Sequence, residues 1–313
     1  MDKELLMKAQ YEMPVSEDPF AELAEKLDRS VESVIESLRE YLRSGVVKKV
    51  GPQLNYKAFR GISFAALVGA EVRENLERAV EVINSDRGVK HNFLREHDVY
   101  NIWFTIKAPS KEELFERTKA LMERCGVDNY VVLPSVRVYK MDVKYDLFRG
   151  VSFSTRAEER AEVPKVEELG VDGDMLRDME RNFAVEERPF RRFAEKYGYT
   201  ESELADLIAE LIEKRVVRDF YAVLNGQKAG FRENGMNLIR TEEPERVAER
   251  LLRRIPEITH LVQREVPENW NYPVYFMVHA VNREIIEGIA EKARDVEGVE
   301  ELRILYSLRS FKD

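Results

Sequence analysis

The chain repeats itself. Pro19-Phe20 and Ala24-Glu25-Lys26 return as Pro189-Phe190 and Ala194-Glu195-Lys196, Val46-Val47 as Val216-Val217, and Leu54-Asn55 as Leu224-Asn225. Near the end of each copy, Ser135-x-Arg137-x-Tyr139-Lys140 matches Ser307-x-Arg309-x-Phe311-Lys312. Spaced coincidences in one order mark an internal duplication, so whatever architecture one half adopts the other must share.

Within each half the periodicity changes once. Lys3 to Tyr11 predicts a short helix, Asp18 followed by Pro19 reads as an N-cap with proline in the first turn, and Ser30 caps a third helix. In that helix Val31, Val34, Ile35, Leu38, Tyr41 and Leu42 recur at helical spacing, and Gly45 ends it. The alternation in VVKKVGPQLNYKAFRG about Gly51-Pro52 predicts a two-stranded wing, completing a winged helix-turn-helix. From Ile62 the expected order is strand, helix (Asn75 to Asn84), strand (Val89 to His97), strand (Tyr100 to Ala108), helix (Lys111 to Cys125) and strand (Tyr130 to Lys144). That βαββαβ order is the ferredoxin-like unit, with helices on one sheet face and the other left for a partner or ligand. VSFSTRAEERAEVPKVEELG is charged, aperiodic and contains Pro164, and predicts a linker. The fold class expected is α+β, a tandem duplication: winged helix 1–60, ferredoxin-like domain 61–148, linker 149–171, winged helix 172–228, ferredoxin-like domain 229–313.

Composition narrows the function classes. At 313 residues, 44% hydrophobic and 35% charged, the chain reads as a globular protein of two ordinary domains or four small ones. No apolar run approaches the roughly 20 residues of a membrane helix, and MDKELLMKAQYEM lacks the order of a secretory signal, so a cytoplasmic location without membrane attachment is expected. One cysteine, Cys125, excludes an internal disulfide framework and a multi-cysteine metal site. Only four histidines occur, without diagnostic metal spacing, and no metal site is expected.

A winged helix joined to a ferredoxin-like domain resembles the leucine-responsive (Lrp/AsnC-like) transcription regulators. A helix entering the major groove needs cations toward phosphates and Arg, Lys, Asn or Gln toward bases. The first candidate, Val31 to Ser44, sets Arg39 and Arg43 against Glu32, Glu36 and Glu40. The second, Glu201 to Lys214, carries Glu201, Glu203, Asp206, Glu210 and Glu213 before a lysine. With net charge −9 overall, no nucleic-acid partner is expected, and the winged helices read as structural or dimer-forming elements.

The densest chemistry lies in GVKHNFLREHDVYNIWFTIK, Gly88 to Lys107. Strand periodicity places His91, Phe93, Arg95 and His97 on one face and Asn92, Leu94 and Glu96 on the other. His-x-x-x-Arg-Glu occurs again at His260, Arg264 and Glu265, with His260, Val262 and Arg264 on one face. By the same parity Arg137 shares a face with Ser135 and Tyr139, and Arg309 with Ser307 and Phe311. His279, alone on the apolar strand YFMVHAV, reads as a structural histidine.

His91-Asn92-Phe93-Leu94-Arg95-Glu96-His97 followed by Tyr100-Asn101-Ile102-Trp103-Phe104-Thr105 resembles the signature of one subunit of the two-subunit sirohaem decarboxylases. Ala222-Val223-Leu224, Lys228-Ala229-Gly230-Phe231, Asn234-Gly235-Met236-Asn237, Thr259-His260, Trp270-Asn271-Tyr272 and Leu305 to Lys312 resemble the other. The resemblance spans nearly the full length, is shared with the related decarboxylases of haem d1 synthesis, and implies a fusion of the two subunits. It implies an enzyme that removes carbon dioxide from the C12 and C18 acetates of sirohaem, giving 12,18-didecarboxysirohaem on an alternative route to haem. A non-catalytic tetrapyrrole sensor and an Lrp/AsnC-type regulator stand as the alternatives.

The residue types suit such a substrate, a broad apolar disc rimmed by carboxylates. Arg95, Arg264, Arg137 and Arg309 are the expected cations, and Phe93, Tyr100, Trp103, Trp270 and Tyr272 the expected walls, with His97 as a further binding residue. Loss of carbon dioxide leaves an electron pair that the conjugated ring accepts before the carbon takes a proton. Histidine suits that step, so His91 and His260 are the expected proton donors, with Arg95 and Arg264 beside them. No cofactor is expected, since the iron enters with the substrate. The two halves are expected to form an intramolecular pseudo-dimer, with a homodimer left open. One departure stands out: where the second-half subunit typically shows Arg-His, this chain has Asn225-Gly226.

Overall fold

The structure is a computed structural model that describes residues 1–61, 64–155 and 162–312. In chain order the elements are α1 (Lys3–Tyr11), α2 (Pro19–Lys26), α3 (Val31–Ser44), β1 (Val47–Leu54), β2 (Phe64–Ala70), α4 (Leu76–Ser85), β3 (Val89–Arg95), β4 (Ile102–Ala108), α5 (Lys111–Cys125) and β5 (Tyr130–Met141). The short strands β6 (Tyr145–Asp146) and β7 (Val151–Ser152) follow. Then come α6 (Gly173–Asn182), α7 (Arg191–Tyr197), α8 (Glu201–Glu213), β8 (Val217–Leu224), β9 (Glu233–Arg240), α9 (Pro244–Arg254), β10 (His260–Arg264), β11 (Val274–Ala280), α10 (Arg283–Arg294) and β12 (Glu301–Lys312). The expected start of the first sheet strand at Ile62 and the middle of the expected linker, 156–161, lie outside the described residues. No helix among the described residues is long and apolar enough to cross a membrane.

The chain divides into two compact units, each drawing on both halves of the sequence. One holds Met1–Arg60, Val143–Val151 and the second helical stretch up to Phe231. Its helices obey their local signals: Ser30 Oγ accepts from the Ser33 amide at 3.2 Å, and α3 stops at Gly45. Asp18 does occupy an N-cap position with Pro19 behind it, but its side chain makes no capping bond. Leu5, Phe20, Leu23 and Leu38 from the first half share one core with Met175, Phe190, Phe193, Ile208 and Phe220 from the second.

The expected wing does not form. β1 runs unbroken through Gly51-Pro52 and pairs antiparallel with β8, Gly51 opposite Tyr221 and Pro52 opposite Phe220. A two-stranded ribbon has open edges, on which a proline without an N–H forfeits no ladder bond. Pairing across the duplication thus replaces the local hairpin.

The other unit contains Gly61–Asp142 and the chain from Arg232 on. It holds β2-α4-β3-β4-α5-β5 and β9-α9-β10-β11-α10-β12, two βαββαβ series. β5 and β12 are 12 residues each, longer than one sheet needs. Tyr130 to Pro134 pair with β2, whereas Ser135 to Met141 pair with β10 of the other half. Likewise Glu301 to Tyr306 pair with β9 and Ser307 to Lys312 with β3. The strands therefore close on themselves in the order β10-β5-β2-β4-β3-β12-β9-β11 and back to β10.

Closure removes free sheet edges and turns both helix-free faces inward. The face expected to be left for a partner or ligand is covered by the other half. Leu67, Trp103, Leu133, Met236, Leu238, Tyr275 and Leu305 fill the interior. On the outer side of the first series Val68, Val89, Phe104 and Ile106 pack with Leu114 and Leu121 of α5.

Gly69 shows how tightly the interior is filled. It lies opposite Trp103, and a Cβ there would sit 2.9 Å from the indole Cη2. Gly69→Ala is expected to lower stability by about 1–3 kcal/mol through overpacking, read as a fall in the denaturation midpoint without a change in slope.

Candidate functional site

The β3 face is set by an irregularity the sequence does not advertise. Val89 pairs with Ile106, but the register slips before His91, which pairs with Thr105. Val89 therefore packs toward the helices, while His91, Phe93 and Arg95 share the inward face with Thr105 and Trp103. Along this face the His91 and Phe93 rings stack at 6.4 Å and the Arg95 guanidinium lies 4.8 Å from the Phe93 centroid. His91 is exposed and Arg95 buried, so the row leads from solvent to interior. Its opposite members, Asn92 and Leu94, face the helices as expected, Asn92 donating to Asn84 of α4 at 3.0 Å.

β10 repeats the arrangement four strands away round the ring. His260 pairs with Met277 and Val262 with Tyr275, both inward-facing. Arg264 lies opposite Ser135 with its guanidinium 5.1 Å from the Tyr275 ring.

The two arginines are held alike. Arg264 Nη1 donates to the Leu133 carbonyl and to Ser135 Oγ, both at 3.1 Å. Arg95 Nη1 donates to the Leu305 carbonyl at 3.1 Å and to Asn234 Oδ1 at 3.3 Å. Leu133 and Leu305 occupy the same place in the repeated last strand. Neither guanidinium has a carboxylate partner among the described residues, and Arg264 Nε is buried without a hydrogen bond. Burial presses Arg95 down to about 9 and Arg264 to about 10, so both stay charged at neutral pH. A buried charge with only neutral acceptors is costly, and the cost is relieved when an anion arrives.

The aromatic residues assemble where the β3-β4 and β10-β11 connections meet. His97 stacks on Tyr100 at 5.5 Å and lies 5.9 Å from Trp103 and 5.8 Å from Trp270. Trp270 is 5.5 Å from Tyr272. Trp103 Nε1 donates to the Tyr100 carbonyl at 2.7 Å, Trp270 Nε1 to Tyr275 Oη at 2.6 Å, and Tyr272 Oη to Glu301 at 2.7 Å. These rings pack against one another as interior, Trp103 almost wholly enclosed. His97 Nδ1 accepts from the amides of Val99 and Tyr100, so this histidine shapes its turn; burial lowers its pKa, with Arg303 adding to the effect and Asp98 opposing it.

Arg137 and Arg309 are the corrections. Bulges at Val136 and Leu308 shift the register, so that Ser135 lies opposite Arg264 but Arg137 opposite Gln263, and Ser307 opposite Arg95 but Arg309 opposite Leu94. Residues directly opposite share a face. Arg137 and Arg309 therefore point away from the interior, Arg137 against Tyr139 and Arg309 against Phe311 with an ion pair to Glu77 of α4 at 3.0 Å. Ser135 and Ser307 stay inside, and parity counted straight through the bulge misplaces the arginines by one face.

Several inward residues were not among the expected site residues: Thr105, Tyr275, Met277, Asn234 and His279, the last read as structural. His279 continues the face of Tyr275 and Met277 and lies opposite Asn234, the Arg95 partner. Aligning β11 with β4 by the repeat would have found it. Thr259 was singled out only by its neighbour; its Oγ1 lies 3.1 Å from His260 Nδ1. Lys140, the last member of the repeated motif, is buried and donates to the Ser154 and Pro256 carbonyls at 2.7 and 3.1 Å, its pKa pushed by burial down to about 8 against the pull of Asp142 and Glu257.

Asn225-Gly226 lies in the helical unit, where a Cβ on Gly226 would sit 2.5 Å from the Tyr145 hydroxyl. Tyr145 fills the space that a histidine side chain would need. A cleft of about 770 Å³ in the same unit, lined by Arg39, Arg43, Arg188, Arg191 and five glutamates among others, holds none of the expected site residues. Among the described residues no three His, Cys, Asp or Glu side chains converge as a metal site.

The model of the AsnC-like ligand binding domain matches residues 60–140 and again 228–312, and that of the siroheme decarboxylase NirDL-like HTH domain matches 2–47 and 172–218. A siroheme decarboxylase of Hydrogenobacter thermophilus is 28% identical over 98% of this chain and 92% of its own. The siroheme decarboxylase alpha subunit of Desulfovibrio desulfuricans is 32% identical over 46% of this chain and 82% of its own. The crystal structure of the siroheme decarboxylase NirDL in co-complex with an iron-uroporphyrin III analogue covers this whole chain and 92% of its own at 25% identity, with a TM-score of 0.64.

By fold and site, then, the chain is an AsnC-like ligand-binding protein in which that domain and its helix-turn-helix companion each occur twice. It belongs to the siroheme decarboxylase family and is a decarboxylating enzyme.

Proposed function

We propose that the chain decarboxylates sirohaem, removing the C12 and C18 acetate carboxyls to give 12,18-didecarboxysirohaem on an alternative route to haem. The observation that carries this reading is the pair of guanidiniums, buried Arg95 and partly buried Arg264, at equivalent places in the two halves with only neutral partners. A substrate ringed by carboxylates supplies the missing charge. The tetrapyrrole analogue bound by the related NirDL structure supports the same class of ligand. The matching of each family model twice supports descent from a fusion of two subunits, with the halves as an intramolecular pseudo-dimer.

In this mechanism an arginine binds and orients the acetate, whose C–C bond breaks as the ring accepts the electron pair. A histidine on the same strand, His91 or His260, donates the proton that completes the methyl group. The iron belongs to the substrate, and the chain adds no cofactor. Trp103, Trp270, Tyr100 and Tyr272 form the apolar floor, while Arg137 and Arg309, on the outer face, are left out of the site. We place the enzyme in the cytoplasm, without a membrane or nucleic-acid partner.

Anaerobic incubation with sirohaem followed by mass analysis tests the reading. Loss of two carbon dioxide units is expected; pigment recovered unchanged across pH and salt would overturn it.

A further inference from the structure

Thr259 is enclosed, 1% exposed, between two strands. Its amide donates to the Met277 carbonyl at 2.9 Å and its carbonyl accepts from the Asp142 amide at 2.9 Å. The chain leading to it is held as well, Pro256 receiving both Lys140 Nζ and the Ser154 amide on its carbonyl. The hydroxyl therefore has a fixed position. Oγ1 lies 3.2 Å from the Met277 carbonyl, to which it donates, and 3.1 Å from His260 Nδ1. A hydroxyl has one proton to give. With that proton on the carbonyl, the contact to the imidazole is a hydrogen bond only if Nδ1–H donates to Oγ1.

We propose that Thr259 is a positioning residue that holds neutral His260 as the Nδ1–H tautomer, so that Nε2 is the atom through which the proton passes. The proposal rests on the reading of His260 as proton donor. In the step, imidazolium carries both N–H groups. As the carboxylate carbon leaves as carbon dioxide, the electron pair of the broken C–C bond remains on the methylene carbon and ring. The Nε2–H bond then breaks and a C–H bond forms, giving the methyl group and neutral Nδ1–H imidazole. A proton from solvent restores Nε2–H. Throughout, the Nδ1–H bond to Thr259 persists, so nothing need rotate during transfer. The residue before His91 is Lys90, whose ammonium only donates, so this device belongs to the second half.

The test uses the full chain labelled with ¹⁵N-histidine, the His260 signals being identified by their loss in His260→Gln. The proposal expects a protonated Nδ1 and an unprotonated Nε2 above the imidazole pKa without substrate. In Thr259→Val the tautomer should shift toward Nε2–H and kcat fall about tenfold or more with KM within about twofold, and Thr259→Ser should restore both. Nε2–H in the wild-type protein overturns the proposal outright. A tautomer that moves in Thr259→Val while kcat does not overturns the catalytic use of His260 but leaves sirohaem decarboxylation itself standing. Failure of every form to decarboxylate strikes the functional reading, and the tautomer measurement then still decides the geometry.

Discussion

Arg264→Met is expected to unfold at a higher temperature than the wild-type protein and to lose turnover. The guanidinium is enclosed without a carboxylate, its Nε unbonded, so an apolar side chain of similar length removes a burden from the free protein. Replacing buried charges by packed apolar groups typically ranges from neutral to about 1–4 kcal/mol stabilising. The same change removes a charge-assisted, desolvated contact to the substrate, worth about 2–5 kcal/mol, or roughly 30-fold and upward in affinity. Arg95→Met should behave alike, since Leu305 and Asn234 hold Arg95 as Leu133 and Ser135 hold Arg264. Thermal unfolding and pigment titration check the two signs separately. If the variants are destabilised by several kcal/mol with unchanged pigment affinity, the arginines are structural.

His91→Gln and His260→Gln separate binding from chemistry. Glutamine keeps hydrogen bonding but cannot cycle a proton near neutral pH, so a histidine acting as general acid should cost about 10²- to 10⁴-fold in kcat when lost, while pigment affinity stays within about threefold. Single-turnover analysis of the partly decarboxylated product shows whether each histidine serves one acetate. Turnover within a factor of two of wild type in both variants removes histidine from the mechanism.

Helices were legible in the sequence because their signals are local. Ser30 and Gly45 announce the ends of α3, and the bounds Val31–Ser44 follow; the expected helix Lys111 to Cys125 forms with the same bounds. The inward rows His91-Phe93-Arg95 and His260-Val262-Arg264 were legible for a similar reason, since the bulges opposite them fall on β5 and β12 and leave the alternation within each row intact. What escaped was pairing across the duplication. Nothing in Val47–Leu54 says that its partner is β8, some 170 positions away, rather than a hairpin mate. Nor do Val136 and Leu308, ordinary apolar residues, declare that they bulge outward, more than half exposed, and turn the arginines after them to the other face. The aromatic residues were recognised as a group, but their mutual packing depends on two turns from different halves meeting, which no single-strand pattern encodes.

The central claim is that Arg95 and Arg264, held without a carboxylate partner, await those of the substrate. Its most direct test compares the affinity of the protein for iron uroporphyrin III with that for the fully methyl-esterified pigment, in wild type and in Arg95→Met/Arg264→Met. The account predicts that esterification weakens wild-type binding by about 100-fold or more and leaves the double variant nearly indifferent. Equal sensitivity to esterification in both proteins would contradict it.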